Sequence, residues 1–332
     1  MKKSLLALAV LGAFAGAASA QSSVTIYGTV DLNARYVKND GTSRAYSLSQ
    51  DGINSSQLGF KGTEDLGGGL KASFDLRGGV NPDTGTANSK FWNRRSTVSL
   101  LGNFGEVRLG RDYTASVWNQ LAFDALGTNG VGGGLNVVQK YIGTRRDNSI
   151  GYFLPSGIGG VYGQFMAAAA ENGTTADRAG RYVGGRVGFA AGPVDVAAAY
   201  GQQKFSSGAA DQKSYNVGGQ YNFGVVTLIG YLGRETQASD KESVYNISAV
   251  VPIGVSEIHV AYDLSKRDNA GATTKIDQMA LGYVYNLSKR TAVYSTVSRL
   301  NNKNLTTFSV NGGTITAGGK STGAEFGLRH FF

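Results

Sequence analysis

Apolar residues recur at every second position along almost the whole chain, and no fold other than a large sheet accommodates that pattern. Val24, Ile26, Val30 and Leu32 alternate with Thr25, Tyr27, Thr29, Asp31 and Asn33. Tyr215, Val217, Gly219, Tyr221 and Phe223 repeat the pattern, as do Ile258, Val260, Tyr262 and Leu264, and Met279, Leu281, Tyr283 and Tyr285. A period of two puts one set of side chains on each face of a strand. A soluble sandwich also alternates, but it buries larger aliphatic residues opposite a fully solvated face.

The two ends of the chain say where such a sheet lives. Lys2 and Lys3 precede an apolar run from Leu5 to Ala15, and Ala18-Ser19-Ala20 is a small-x-small cleavage site. Residues 1–20 therefore read as a secretory signal, with 21–332 as one mature domain. At the other end, Phe326, Leu328 and Phe332 share a face, while Glu325, Gly327 and Arg329 share the opposite one. A charged face backed by an apolar one, closed by a terminal aromatic, suits a strand with lipid on one side and water on the other. After the signal no apolar run is long enough to span a bilayer as a helix. These features predict a transmembrane antiparallel β-barrel.

Composition agrees. Glycine supplies 49 of 332 residues and proline only 4, beside 17 Tyr and 15 Phe. Disordered chains lack aromatics, and helices do not tolerate so much glycine. Mean hydropathy is −0.16, as expected where each strand is half apolar. Cysteine is absent, so ring closure by hydrogen bonds has to do the work of disulfides. The formal charge is +9, of which the signal takes Lys2 and Lys3 away. Export excludes nucleic acid as the partner of that charge, leaving anionic surfaces or anions drawn into a pore.

Turn signals set the strand count. Short connections fall at 65–69, 102–105, 155–160, 191–193, 222–224, 252–254 and 287–290. Longer polar segments lie near 39–55, 80–91, 114–146, 171–180, 204–212, 235–242, 267–274 and 302–318. Their alternation predicts sixteen strands, with the first and last pairing to close the ring. No repeat between the halves supports two smaller domains. The segment 114–146 is out of line in length and carries a glycine run, 130–134. Trp118, Leu121, Phe123, Leu126 and Leu135 give it apolar anchors for folding inward and narrowing the lumen. The glycine run precedes no Gly-Lys-Ser/Thr and no amphipathic helix, so it is no phosphate loop.

Several segments resemble the trimeric general-diffusion porins of Gram-negative outer membranes, especially the beta-proteobacterial group. They are Ser22–Gly28, Leu58–Gly67, Gly105–Tyr113, Asp147–Ile150, Leu287–Thr291 and Gly327–Phe332. The resemblance implies sixteen strands, a homotrimer, a third loop inside the lumen, and Phe332 as part of the signal read by the barrel-assembly machinery. It also implies a constriction with bases on the wall and acids on the loop. By position, the bases are Lys61, Arg94 in Trp92-Asn93-Arg94-Arg95, and Arg145 or Arg146. Asp124 is the loop acid. Two positions depart from the family pattern: Gln57 stands where arginine is usual, and Arg77 where an acid is usual.

Strand parity is an independent guide. It turns Asp31 and Arg35 inward on the first strand, Gln57 and Lys61 on the second, and Lys71, Asp75 and Arg77 on the third. It does not separate Arg94 from Arg95. Asp124 is the sole acid between Thr114 and Tyr141, against one base, Lys140. The constriction is thus expected to hold Arg35, Lys61, Arg77, Arg94 or Arg95, and Arg145 or Arg146 facing Asp124, Gln57 and Lys140, and to favour anions moderately. His259 and His330 sit in no nucleophile motif and no metal-ligand spacing, so neither an enzyme nor a cofactor is expected. The remaining alternatives are a channel selective for phosphate or organic acids, and a plugged structural or adhesive barrel.

Overall fold

The computed structural model describes residues 23–139, 142–170, 179–205, 209–310 and 312–332. Residues 1–20, expected as a signal, and Lys140 lie outside them. Among the described residues, eighteen strands form one antiparallel sheet. The first nine are β1 (Ser23–Asn39), β2 (Ala45–Gln50), β3 (Gln57–Gly67), β4 (Leu70–Asn81), β5 (Thr86–Ala87), β6 (Arg95–Gly102), β7 (Gly105–Tyr113), β8 (Arg145–Phe153) and β9 (Val161–Ala168). The others are β10 (Tyr182–Ala191), β11 (Val194–Gln203), β12 (Gln212–Asn222), β13 (Thr227–Gln237), β14 (Asp240–Ile253), β15 (Ser256–Asn269), β16 (Ala272–Asn286), β17 (Thr291–Lys303) and β18 (Lys320–Phe331).

Sixteen of these make a closed barrel, and β2 and β5 are extra pieces. Closure runs through β1, which pairs with β18 from Thr29↔Phe331 to Asn39↔Ser321. Phe332 continues that seam: its amide donates to the Gly28 carbonyl at 3.2 Å, and the Gly28 amide donates back at 3.1 Å. Only glycine fits at 28, because a Cβ there would stand 2.3 Å from the Phe332 ring. The outward set is apolar as the alternation requires, with Val24, Ile26, Phe326 and Leu328 at least half exposed.

Three expectations about connections need correction. The segment near 39–55 is not one loop. Its middle, β2, pairs with β1 from Leu32↔Gln50 to Val37↔Ala45, in line with β3, which pairs from Thr29↔Gln57 downward. Residues 51–56 therefore stand opposite only Val30 and Asp31, a four-residue excess that leaves the wall and enters the lumen. The segments near 235–242 and 267–274 are strand ends joined by two-residue turns at 238–239 and 270–271. Ala238 and Ala270 take φ of 52° and 47° there. Strands of 14 and 15 residues (β14 to β16) outrun the nine to eleven or so that cross a bilayer, and their polar ends read as loops. Finally, the segment near 302–318 folds in: Val310 is buried with Val37, Val131, Val137, Ile276 and Leu300.

The core of the molecule is the contact between the inward loop and the wall. The loop opens with α1 (Ala115–Ala122), packed on β9 to β12, and carries a 3-10 turn at Gly134–Val137 against β15 and β16. Phe123 is fully buried among Ala197, Ile229, Tyr231 and Val244. Its ring lies over Gly218, where a Cβ would sit 2.2 Å away. Leu126 is buried against Ala261 and Ala280. Trp118 stacks edgewise on Tyr113 at 5.2 Å. Leu121 and Leu135, expected as anchors, instead line open space.

Candidate functional site

Between α1, the loop tip, the insertion 51–56 and strands β3 to β8 lies a polar cavity of about 420 Å³. Among the described residues its charged lining is Arg77, Arg94, Arg145 and Asp51, with Gln57, Asn54, Ser55 and Asn129 beside them. From the loop it takes Val117, Gln120, Leu121, Thr128, Asn129 and Leu135, none of them charged.

The wall arginines divide into paired and open ones. Arg77 stands opposite Arg95 across β4 and β6, a like-charge neighbour that would be unfavourable alone. Asp75 relieves it, at 2.9 Å from Arg77 and 3.2 Å from Arg95. Arg77 also donates to the Tyr27 hydroxyl at 2.9 Å. Arg95 is bound again by Asp112 at 2.8 Å, and Arg108 by Glu106 and Asp112. Arg94, one residue before β6, is different. Its nearest carboxylate is Asp51 at 3.6 Å. Arg145 lies over the Tyr113 ring at 4.2 Å and donates to its hydroxyl.

The remaining expected residues fall elsewhere. Arg94 rather than Arg95 lines the cavity; Arg95 lies behind it in its ion pairs. Arg146 does not share the lining with Arg145, because successive residues point to different surroundings. It donates to Ile142 O and Gln203 and covers the Tyr182 ring at 5.2 Å. Arg35 pairs with Glu325 at 3.1 Å, off the cavity. Lys61 rests over Tyr27 at 5.1 Å, also off it. Gln57 is on the lining.

Asp124 is the main correction. It is absent from the cavity of Arg77, Arg94 and Arg145 and lines instead a second one of about 280 Å³, with Glu257, His259 and Arg329. One carboxylate oxygen accepts the Leu126 amide at 3.0 Å, which curls the loop back on itself. Burial, with the Asp263 carboxylate close by, pushes the Asp124 carboxyl well above its usual range. Next to it His259 presents Nδ1 to the Ala125 carbonyl and Nε2 to Glu257 at 3.0 Å.

Asp51 and Arg186 were not anticipated, and Arg329 was placed on the water-facing side of its strand without a role. Arg186 donates to Asn119 of α1 and to Tyr162 at 3.1 Å. Arg329 donates to Asn54 at 3.0 Å. Parity does turn Arg329 inward, and the Asp51-Gly52 pair breaking an alternating run was the available signal for the insertion. No cluster of three or more metal-ligating side chains occurs among the described residues.

A closed sixteen-stranded barrel, lined with charge and narrowed by an inward loop, defines a membrane pore. The Gram-negative porin family matches residues 7–305. Outer membrane porin protein 32 of Delftia acidovorans is 42% identical over the whole of both chains, and an outer-membrane porin of Bordetella pertussis is 30% identical, again over both whole chains. The solved structure of an anion-selective porin from Comamonas acidovorans superposes with a TM-score of 0.84 at 39% identity, covering 94% of this chain and all of the other. Salmonella typhi OmpF shares the fold at a TM-score of 0.70 and 16% identity. The chain belongs to the Gram-negative porin family: it is an outer-membrane porin, a water-filled channel through which small hydrophilic solutes and ions diffuse.

Proposed function

We propose that this porin prefers anions, to a moderate degree, and that Arg94 and Arg145 carry the preference with Arg77 behind them. One observation carries the reading: three arginines and a single carboxylate line the cavity, and the inward loop adds no charge. Unit charges about 4 Å apart interact by about 1 kcal/mol even in bulk water, enough to bias occupancy several-fold. The similar porin from Comamonas acidovorans is anion-selective, which supports the same reading. Arg35, Lys61, Arg95 and Arg146 act on the wider field of the lumen, and Asp124 on the loop's attachment.

The mature protein begins after Ala20, forms one domain, works as a homotrimer, and needs neither a cofactor nor covalent chemistry. Phe332, hydrogen-bonded into the closing seam, belongs to the signal that the assembly machinery reads. Its deletion is expected to lower the yield of heat-modifiable trimer while export continues; a wild-type yield would refute that. The ion preference is tested by reversal potential across a salt gradient in a planar bilayer. An anion-selective potential at 0.1 M that weakens at 1 M is expected, because the Debye length falls from about 10 to about 3 Å. A cation-selective potential would overturn the reading.

A further inference from the structure

The acid of the constriction comes from an unexpected place. Asp124 is turned away, and the carboxylate on the lining, Asp51, arrives on the insertion 51–56. We infer that Asp51 sets how strong the anion preference is, and that Asp31 is the positioning residue that holds it opposite Arg94. The inference rests on the anion-preferring reading above.

The insertion is fastened to one wall residue along its whole length. Asp31 is fully buried, and its carboxylate accepts three successive amides, Gly52 at 3.2 Å, Ile53 at 3.0 Å and Asn54 at 2.8 Å. Tyr294 donates its hydroxyl to the same carboxylate. At the start of the insertion the Asp51 amide donates to the Asp31 carbonyl at 3.1 Å. At its end the Ser56 hydroxyl accepts from the Asp31 amide at 3.1 Å and donates to its carbonyl at 3.2 Å. Bonds to an ionised acceptor are about twice as strong as neutral ones, so the carboxylate is the main clamp. Gly52 permits the close approach, since a Cβ there would lie 1.9 Å from the Tyr294 hydroxyl.

This clamp fixes where Asp51 points. Its backbone sits at φ 58°, a region asparagine and aspartate tolerate better than other side chains. The Ser56 amide donates to one carboxylate oxygen at 2.6 Å. The other oxygen stays 3.6 Å from Arg94, near enough to offset its charge and too far for a hydrogen bond. The far side of the insertion is braced as well: Ser55 donates to Asn129 at 3.2 Å, and Gly130 lies against the Gly52 carbonyl. The insertion is thus a strut between wall and loop tip, with one negative charge on the side that faces the arginines.

The test uses the assembled channel in planar bilayers at 0.1 M salt. Asp51→Asn should raise the anion-to-cation permeability ratio about three- to fivefold, and Asp51→Glu should keep it near wild type. Asp31→Asn should raise the ratio in the same direction, and the double variant should go no further than Asp51→Asn alone. An additive double variant would overturn the positioning role, since it would mean that Asp31 acts by its own charge. Should Asp31→Asn not assemble, Ser56→Ala loosens the same strut without changing charge and is held to the same criterion. The chain has no cysteine, so Asp51→Cys can be labelled uniquely in the folded channel. A sulfonate-bearing thiol reagent should return the ratio toward wild type, and an ammonium-bearing one should raise it further. If these changes leave the ratio unmoved while Arg94→Gln lowers it, the inference fails and the anion reading stands. A wild-type ratio at or below one would overturn the reading beneath it.

Discussion

The two sides of the lumen present their charges in opposite ways. On the β4 to β8 side, Arg77, Arg94 and Arg145 open onto the cavity. On the far side, Glu242, Asp263 and Glu325 sit on β14, β15 and β18, and each is at most 3% exposed. The inward loop makes that difference. Its Gln139 amide donates to Glu242 at 2.7 Å, Gly134 presses on Asp263, and Gly130 lies against Glu325. The loop's cover works together with the wall's own partners, since Asn246 donates to Asp263 at 2.7 Å and Arg35 pairs with Glu325 at 3.1 Å. What a passing ion feels is therefore decided by which wall charges the loop covers, and much less by the net charge of the chain.

The strongest way to break this comparison is to remove the cover. Deleting 118–136 should raise single-channel conductance roughly twofold, because the loop fills the lumen but lies outside the wall ladder. Anion preference should fall at the same time, as Glu242 and Asp263 become open to water. A wider pore with undiminished preference would show that covering is irrelevant. Next in size is Arg94→Glu, which reverses an open charge and should cut the anion-to-cation ratio about tenfold. Arg146→Glu changes a residue engaged by Gln203 and Tyr182, so reversal potentials should move by much less. Glu242→Gln removes a covered charge and should leave the ratio within the error of the measurement. Equal shifts in all three would erase the distinction between open and covered groups.

The smallest effect concerns how the cover is held. The Asp124 carboxyl is raised by burial and by Asp263, so the folded loop binds its proton more tightly than a released loop does. The attachment is then strongest below the ordinary aspartate range and weakens as pH climbs toward the raised value. Exchange of the Leu126 amide, corrected for its intrinsic base catalysis, should accelerate with rising pH, and Asp124→Asn should flatten that dependence. A flat corrected profile in the unsubstituted protein would dissociate the cover from Asp124.

The barrel was legible because lipid on one side and water on the other impose a period of two, and glycine marked most of the turns. Where that constraint lapses, so did the reading. Parity applies to residues in a ladder, and Arg94 stands just before one. Asp124 lies in a loop, where spacing says nothing about direction. The strand ends around 238 and 270 are polar because they rise clear of the lipid, so composition reported their surroundings and missed their structure. Ala45–Gln50 alternates only through Tyr46 and Leu48, and its short length and its serines disguised it. The insertion that follows required knowledge of pairing partners far away in the chain.

That insertion has a size with a consequence. Thr29 faces Gln57 and Leu32 faces Gln50, so the excess is an even number of residues. The inward set stays odd-numbered on both sides of it: 45, 47 and 49 above, 57, 59 and 61 below. Lengthening or shortening the strut by two residues would reshape the cavity beside Arg94 while every wall side chain kept its face, whereas a change of one would turn the upper half of that strand inside out. Selection can therefore retune the passage in steps of two residues without refolding the wall, and a family built this way can explore many apertures on one scaffold.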